Sequence, residues 1–290
     1  MTHPHDTIQH VSDTARLVAL YRAMETERPD AVFHDRFARI LVGEKAERLL
    51  DSIPKGRQLA WPIAVRTAVL DEQLQRVVKQ EGVDTVVNLA AGLDARPYRL
   101  PLPPSLRWIE VDFPDVIAFK EERLAREKPM CELQRVGLDL TDIARRKAFL
   151  AGVGAAAAKV LVLTEGLLIY LPPEQVARLA SDLATIPSFR WWLMDISSPK
   201  LMKILEKSWG RSLAKGNAPF LFAPPESTQF FAPHGWKESE YRAMWDEANR
   251  LNRAEAPLAW LWNLLSRFQS PAKKEEGRRM SGMVVLERRT

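Results

Sequence analysis

Apolar positions recur every three or four residues over the first eighty residues, which predicts helices. Ser12 or Asp13 can cap a segment running to about Glu27, with Ala15, Val18, Ala19 and Arg22 at helical spacing. Phe33 to Leu50 repeats the pattern through Phe37, Ile40, Leu41 and Leu49. Pro62 suits the first turn of a third helix reaching about Gln80, and Gly82 suits its end. From Asp84 the pattern changes to short β-branched runs. Strands are predicted at Asp84–Leu89, Arg107–Asp112, Leu133–Leu138, Lys159–Glu165 and Phe189–Asp195. Helical segments lie between them at Pro114–Lys128, Thr141–Leu150 and Pro172–Leu183. Strands alternating with helices over short connections predict an α/β protein, with helices on both faces of a parallel sheet.

Beyond Lys200 the alternation stops. Lys200–Phe268 reads as helix and irregular loop, and it carries the aromatic clusters Phe220–Pro225 and Phe230–Trp236. A last strand at Met283–Leu286 returns to the sheet. The expected organisation is one domain over residues 1–290. It divides into an N-terminal helical lid (1–60), a cofactor-binding sheet core (61–199), an aromatic and helical cap (200–270) and the final strand (271–290).

Composition narrows the class without choosing a function. The 290 residues are 46% hydrophobic and 27% charged, as expected of a globular chain rather than a disordered one. The net charge of +5 is not gathered in a block: Lys273-Lys274 is followed by Glu275-Glu276 and then Arg278-Arg279, the pattern of a solvated surface. No nucleic-acid signature accompanies the basic residues, so no nucleic-acid partner is expected. The single Cys131 rules out a disulfide framework and a multi-cysteine metal site. No apolar run approaches the roughly 18 residues of a membrane span, and the polar start Met1–Asp6 does not read as a secretory leader; the expectation is cytoplasmic. His3, His5 and His10 lie in that polar terminus without acids at ligand spacing, and no metal is expected.

The acids are more informative. Five successive strands each run into one: Asp94, Asp112, Asp139, Glu165 and Asp195. Singly, each reads as a cap or turn residue. Together they line the edge where open parallel sheets bind ligands, beyond the carboxyl ends of the strands. Gly92 follows the first strand and Asp112 stands twenty residues later, the separation at which an acid after a glycine turn reaches ribose hydroxyls. The turn Ala90-Ala91-Gly92 lacks the further glycines that cradle a pyrophosphate, and it is no phosphate-binding loop of the Gly-Lys-Ser/Thr kind. An acidic rim repels pyrophosphate and attracts the sulfonium and ammonium of S-adenosylmethionine. Arg66, in the preceding helix, is placed to pair with the carboxylate of such a cofactor.

Several segments resemble the leucine carboxyl methyltransferase family, especially its bacterial S-adenosylmethionine-dependent members. They are Arg66-Thr67 with Asp71, Val87–Arg96, Glu110–Pro114 with Lys120, Asp139-Leu140, and Glu165–Leu171. The resemblance runs from Ser12 to about Leu183, with Gly235-Trp236 and the last strand. It implies a Rossmann-like class I methyltransferase fold with a mostly parallel seven-stranded sheet. It further implies that Arg66 binds the cofactor carboxylate, Gly92 admits its methionine part, Asp94 joins them at the glycine turn, Asp112 holds the ribose, Asp139 and the Leu140 backbone flank the adenine, and Glu165 sits by the amino end. One position departs: the family usually has Gly where Ala90 stands.

The expected reaction is transfer of a methyl group to an acceptor oxygen, a small-molecule carboxylate above all. A carboxylate needs no base, only a clamp, for which Arg16, Arg22, Arg96 and Tyr170 are candidates. A hydroxyl or phenol acceptor would need a base; His234, beside Gly235-Trp236, is the candidate, with Trp236 near the substrate. A nicotinamide-dependent dehydrogenase is a third reading, disfavoured by the single-glycine turn. Trp236, Trp245, Trp260 and Trp262 are expected between cap and sheet, as packing or as an apolar acceptor surface.

Overall fold

The computed structural model describes residues 11–43, 45–52, 56–204, 219–254 and 270–289. His3, His5, His10, Trp260 and Trp262 lie outside the described residues. Seven strands form one sheet: β1 (Thr85–Leu89), β2 (Arg107–Asp112), β3 (Glu132–Gly137), β4 (Val160–Thr164), β5 (Phe189–Ser197), β6 (Trp236–Ala243) and β7 (Ser281–Arg288). Their order is β3-β2-β1-β4-β5-β7-β6. The first five are parallel, and β7 runs antiparallel to both β5 and β6.

Alternation along the strands explains the two helical layers. Val87, Ile109, Val162 and Trp192 enter one core with Leu150 and Val153 of α7 (Ile143–Ala156) and Val176, Leu179 and Leu183 of α8 (Pro173–Ala184). Their neighbours Val86, Trp108, Leu161 and Leu193 face the other way, against Val65, Val69, Leu74 and Val77 of α4 (Ala60–Glu81). Side chains of period two and a sheet covered on both faces produce this division.

The N-terminal segment is three helices: α1 (Val11–Thr26), α2 (Arg36–Val42) and α3 (Lys45–Ser52). The single helix read over Phe33–Leu50 is broken at Gly43, whose φ of 65° ends α2. Asp35 caps α2, its side chain accepting from the amides of Phe37 and Ala38. Leu17, Leu20 and Tyr21 of α1 pack with Phe37, Leu41 and Leu50, and with Leu93 and Tyr98 after β1. Helix α1 is therefore built into a core of its own that touches the loop after β1.

The stretch read as helix and loop after Lys200 supplies strand β6. Its sequence, Trp-Lys-Glu-Ser-Glu-Tyr-Arg-Ala, carries no alternating apolar face, because β6 is an edge strand with half-exposed charged side chains. Charged edges of this kind discourage pairing with other chains. Helix Met244–Arg250 follows, and Trp245 meets Trp61 of α4 edge-on at 6.2 Å between ring centroids.

Candidate functional site

The carboxyl edge of the parallel strands brings most of the predicted residues together. The turn after β1 has left-handed backbone at Ala90 (φ 55°) and at Gly92 (φ 49°). Asp112, at the end of β2, closes it. One carboxylate oxygen accepts from the Gly92 amide at 2.6 Å and the other from the Phe113 amide at 2.7 Å. Burial pushes the Asp112 carboxyl above its ordinary pKa, against the pull of these two amides. Helix α1 lies directly over the turn, with the Ala15 methyl 3.4 Å from where a Cβ on Gly92 would stand.

A chain of ion pairs runs beside the turn. Arg66 donates to Glu165 at 3.0 Å and to Asp195 at 3.4 Å. Asp195 also accepts from the Gly166 amide at 2.6 Å. Arg96 reaches Glu165 at 2.7 Å, Asp94 at 2.9 Å and Asp71 at 2.6 Å. Arg99 makes a two-point bond to Asp71, at 2.5 and 2.9 Å, and lies 3.7 Å from Asp35. Arg22 of α1 pairs with Asp35 at 2.9 Å and donates to the Leu93 carbonyl at 2.5 Å. Burial alone would lift the Glu165 carboxyl, but Arg96 and then Arg66 hold it below its ordinary value. The same opposition, led by Arg96, holds Asp94 well below the carboxylate range.

The remaining residues expected at the cofactor sit one strand over. Asp139 accepts from the Thr141 amide at 2.8 Å and hydroxyl at 2.7 Å, and the Leu140 carbonyl accepts from Arg146. Leu140, Leu167, Leu171 and Leu179 line a small hollow here. Tyr170 packs its ring against Phe220 at 5.7 Å and hydrogen-bonds Thr14 of α1. Burial raises the Tyr170 hydroxyl's pKa, against the nearby Arg66, so it stays protonated and can donate.

Several expectations are corrected. Trp236 is fully buried, its indole donating to the Ala180 carbonyl at 2.9 Å and its ring packed on Trp192. It starts β6 opposite Arg288, which ends β7, and so stands at the amino edge of the parallel strands. His234 is at that same edge, Nδ1 3.0 Å from the Ser181 hydroxyl near the end of α8. Neither faces the glycine turn. Asp94 has both oxygens engaged, by Asn88, the Arg96 amide and the Arg96 guanidinium, and so anchors the one-turn helix α5 (Arg96–Arg99) beside the glycine turn. Arg22 and Arg96 are buried and committed to acids, which removes them as acceptor clamps. Arg16 is half-buried and stacks over Phe119 at 4.6 Å. The reading gave no role to Asp71 or Arg99. A carboxylate on the apolar face of α4, among buried Ala68, Val69, Leu70 and Leu74, was the available signal.

Comparison with known proteins identifies the family. The sequence pattern of the leucine carboxyl methyltransferase family matches residues 15–184. A Parafrankia protein provisionally named an S-adenosyl-L-methionine-dependent methyltransferase is 39% identical over 186 residues, 61% of this chain and 59% of that protein's length. A Mycobacterium ulcerans protein with the same provisional name is 30% identical over 262 residues, covering 80% of this chain and 84% of its own. Among solved structures, a DUF574 family protein from Streptomyces avermitilis superposes with a TM-score of 0.58 at 12% identity, over 99% of this chain and 100% of that one. A Thermobifida fusca protein provisionally described as a methyltransferase gives 0.56 at 14% identity, over 97% and 96%. At such identities these structures establish the α/β fold alone. The sequence match over more than half the chain establishes the rest: the chain belongs to the leucine carboxyl methyltransferase family of S-adenosylmethionine-dependent methyltransferases.

Proposed function

We propose that this protein methylates an oxygen of a small molecule, a carboxylate above all, at the carboxyl edge of the sheet beneath α1. The carrying observation is the charge of that edge. Five linked carboxylates (Asp35, Asp71, Asp94, Glu165, Asp195) face four guanidiniums (Arg22, Arg66, Arg96, Arg99), which leaves one negative charge over. S-adenosylmethionine, with a sulfonium, an ammonium and a carboxylate, carries one positive charge over. The donor set fits it. Asp112 can accept from two ribose hydroxyls, Arg66 can turn from Glu165 and Asp195 to the cofactor carboxylate, and Glu165 and Asp195 can then take the ammonium. Asp139 and the Leu140 backbone, just past the end of β3, would flank the adenine. The same excess of negative charge would repel the pyrophosphate of a nicotinamide cofactor.

When bound, the cofactor would supply an electrophilic methyl group for the acceptor oxygen, with sulfur as the leaving group. The protein's contribution is alignment and exclusion of water. Helix α1, fixed over the turn by Arg22, covers the edge. Tyr170 remains protonated and offers a hydroxyl to an acceptor oxygen, with Phe220 as apolar wall. A carboxylate acceptor arrives ionised and needs no base, in keeping with His234 standing at the opposite edge. The protein is read as acting in the cytoplasm on a small molecule.

Calorimetric titration with S-adenosylmethionine, followed by a radiolabelled methyl-transfer screen over carboxylic acids and phenols, tests the proposal. Base-labile label on carboxylic acids, with phenols left unlabelled, supports it. Exclusive labelling of phenols or hydroxyls overturns the carboxylate assignment, and no cofactor binding overturns the whole reading.

A further inference from the structure

Arg96 is the hub of the ion-pair chain. Three carboxylates from three elements meet it: Asp71 from α4, Asp94 from the loop after β1, and Glu165 from the end of β4. Its side chain is 2% exposed. Asp94 accepts from both its amide and its guanidinium, so backbone and side chain share one anchor. Glu165 is gripped from two sides. Arg66 holds Oε1 at 3.0 Å, and Arg96 holds Oε2 at 2.7 Å. The two grips differ in surroundings: Arg66 is partly exposed at the site, while Arg96 is sealed beneath it.

A buried carboxylate stripped of its only partner is strongly unfavourable. With two partners, Glu165 can spare one. We propose that Arg96 is a positioning residue for the cofactor site: its hold on Oε2 fixes Glu165 and frees Arg66 to turn to the cofactor carboxylate. This rests on the cofactor reading above. Arg96 touches neither cofactor nor acceptor in this account; it acts through Glu165.

The groups facing Glu165 define the test. Arg66 approaches from α4, Arg96 from α5, Asp94 from the preceding loop and Arg22 from α1; Asp195 of β5 and Tyr170 lie against Arg66, and Asp71 of α4 against Arg96. In Arg96→Met, burial and Asp94 oppose Arg66 and Arg22 alone, so Glu165 takes up a proton at higher pH and ceases to serve the ammonium. S-adenosylmethionine affinity is measured by calorimetry between about pH 8 and about pH 5.5, wild type first. Any acid loss due to Asp112 is common to both proteins. The variant is expected to lose about tenfold more affinity than wild type across that range. A parallel pH profile in a folded variant overturns the proposal while leaving the cofactor reading intact; failure of wild type to bind overturns both.

Should Arg96→Met fail to fold, Arg96→Lys carries the same test. Its ammonium keeps the charge but cannot reach three carboxylates at once, and an extra loss of about threefold is expected. Unchanged affinity and pH profile in Arg96→Lys then overturns the proposal. The double variant Arg96→Met/Glu165→Gln is expected to lose the extra pH dependence; its persistence would assign the effect to Asp94 and overturn the role given to Glu165.

Discussion

Asp112 and Gly92, twenty residues apart in sequence, are hydrogen-bonded at 2.6 Å: the acid proposed to hold a ribose also closes the glycine turn. Its second oxygen accepts from Phe113. Asp112→Asn keeps one acceptor and turns an NH2 group on the other amide. A buried amide without a partner costs about 1–3 kcal/mol, so the melting temperature should fall. Cofactor affinity should fall about tenfold or more, as hydrogen bonds to a charged group are worth about 1.5–3 kcal/mol. Equal affinity in wild type and Asp112→Asn, measured by calorimetry, would remove Asp112 from the site. Acidification should act in the same direction. The folded carboxyl titrates above its ordinary value, so affinity is lost as pH falls through that raised pKa, while the group's drag on folding is relieved.

Ala90 carries a φ of 55°, a conformation costing a side-chain-bearing residue about 1–2 kcal/mol. The family resemblance leads to glycine at this position, and the backbone supplies the reason. Ala90→Gly should relieve the strain, partly offset by glycine's greater freedom when unfolded. A net gain of about 1 kcal/mol, or about 2 °C in melting temperature, is expected. Ala90→Val should cost more than it, since a branched Cβ tolerates this conformation worse. A destabilised Ala90→Gly would show that the methyl's packing outweighs its strain.

What the sequence discloses follows from how each element is buried. Val86–Leu89 and Val160–Thr164 are buried on both faces, and only continuous apolar runs suit that position. The acids at the strand ends were legible because topology alone puts them on one edge. Strand β6 was not, since an edge strand rich in Glu, Lys and Arg carries no apolar alternation. Nor were the partners of the acids. Arg96 and Glu165 lie 69 residues apart, and Arg66 and Asp195 lie 129 apart. Pairing over such separations comes from the crossing of α4 and α5 over the sheet, which no local spacing encodes. The partners of Asp94 are hidden for the same reason: its oxygens turn to Asn88 and Arg96.

The positions of His234 and Trp236 separate a stability role from a catalytic one. His234→Ala should leave methyl transfer within about twofold of wild type, because a base at the far edge of the sheet cannot reach the acceptor. Trp236→Ala should lower stability by about 3–5 kcal/mol, the range for removing a large buried aromatic, with residual activity tracking the folded fraction. Steady-state rates beside chemical denaturation distinguish these outcomes. A large fall in kcat for folded His234→Ala would contradict the geometry.

Arg253 fastens helix α1 from the other end of the chain. It is buried, and it holds Glu25 near the end of α1 at 2.8 Å, with the Asp30 carbonyl accepting from it as well. Glu25 also accepts from the Val32 amide, so the loop leaving α1 is fixed to the same carboxylate. Arg253→Met removes the close partner of buried Glu25, leaving Arg28 at 3.9 Å, and should cost about 3 kcal/mol. Pairing it with Glu25→Gln should recover part of that loss, because an ion pair removed as a unit leaves no lone charge. A double-mutant cycle by denaturation measures the coupling; additive single effects would show that the two side chains act independently. The functional consequence passes through Arg22, one turn earlier on α1, whose bond to the Leu93 carbonyl holds that helix over the glycine turn. Loosening α1 should therefore weaken cofactor binding by about threefold more in Arg253→Met than in the double variant, once both are compared at equal folded fraction.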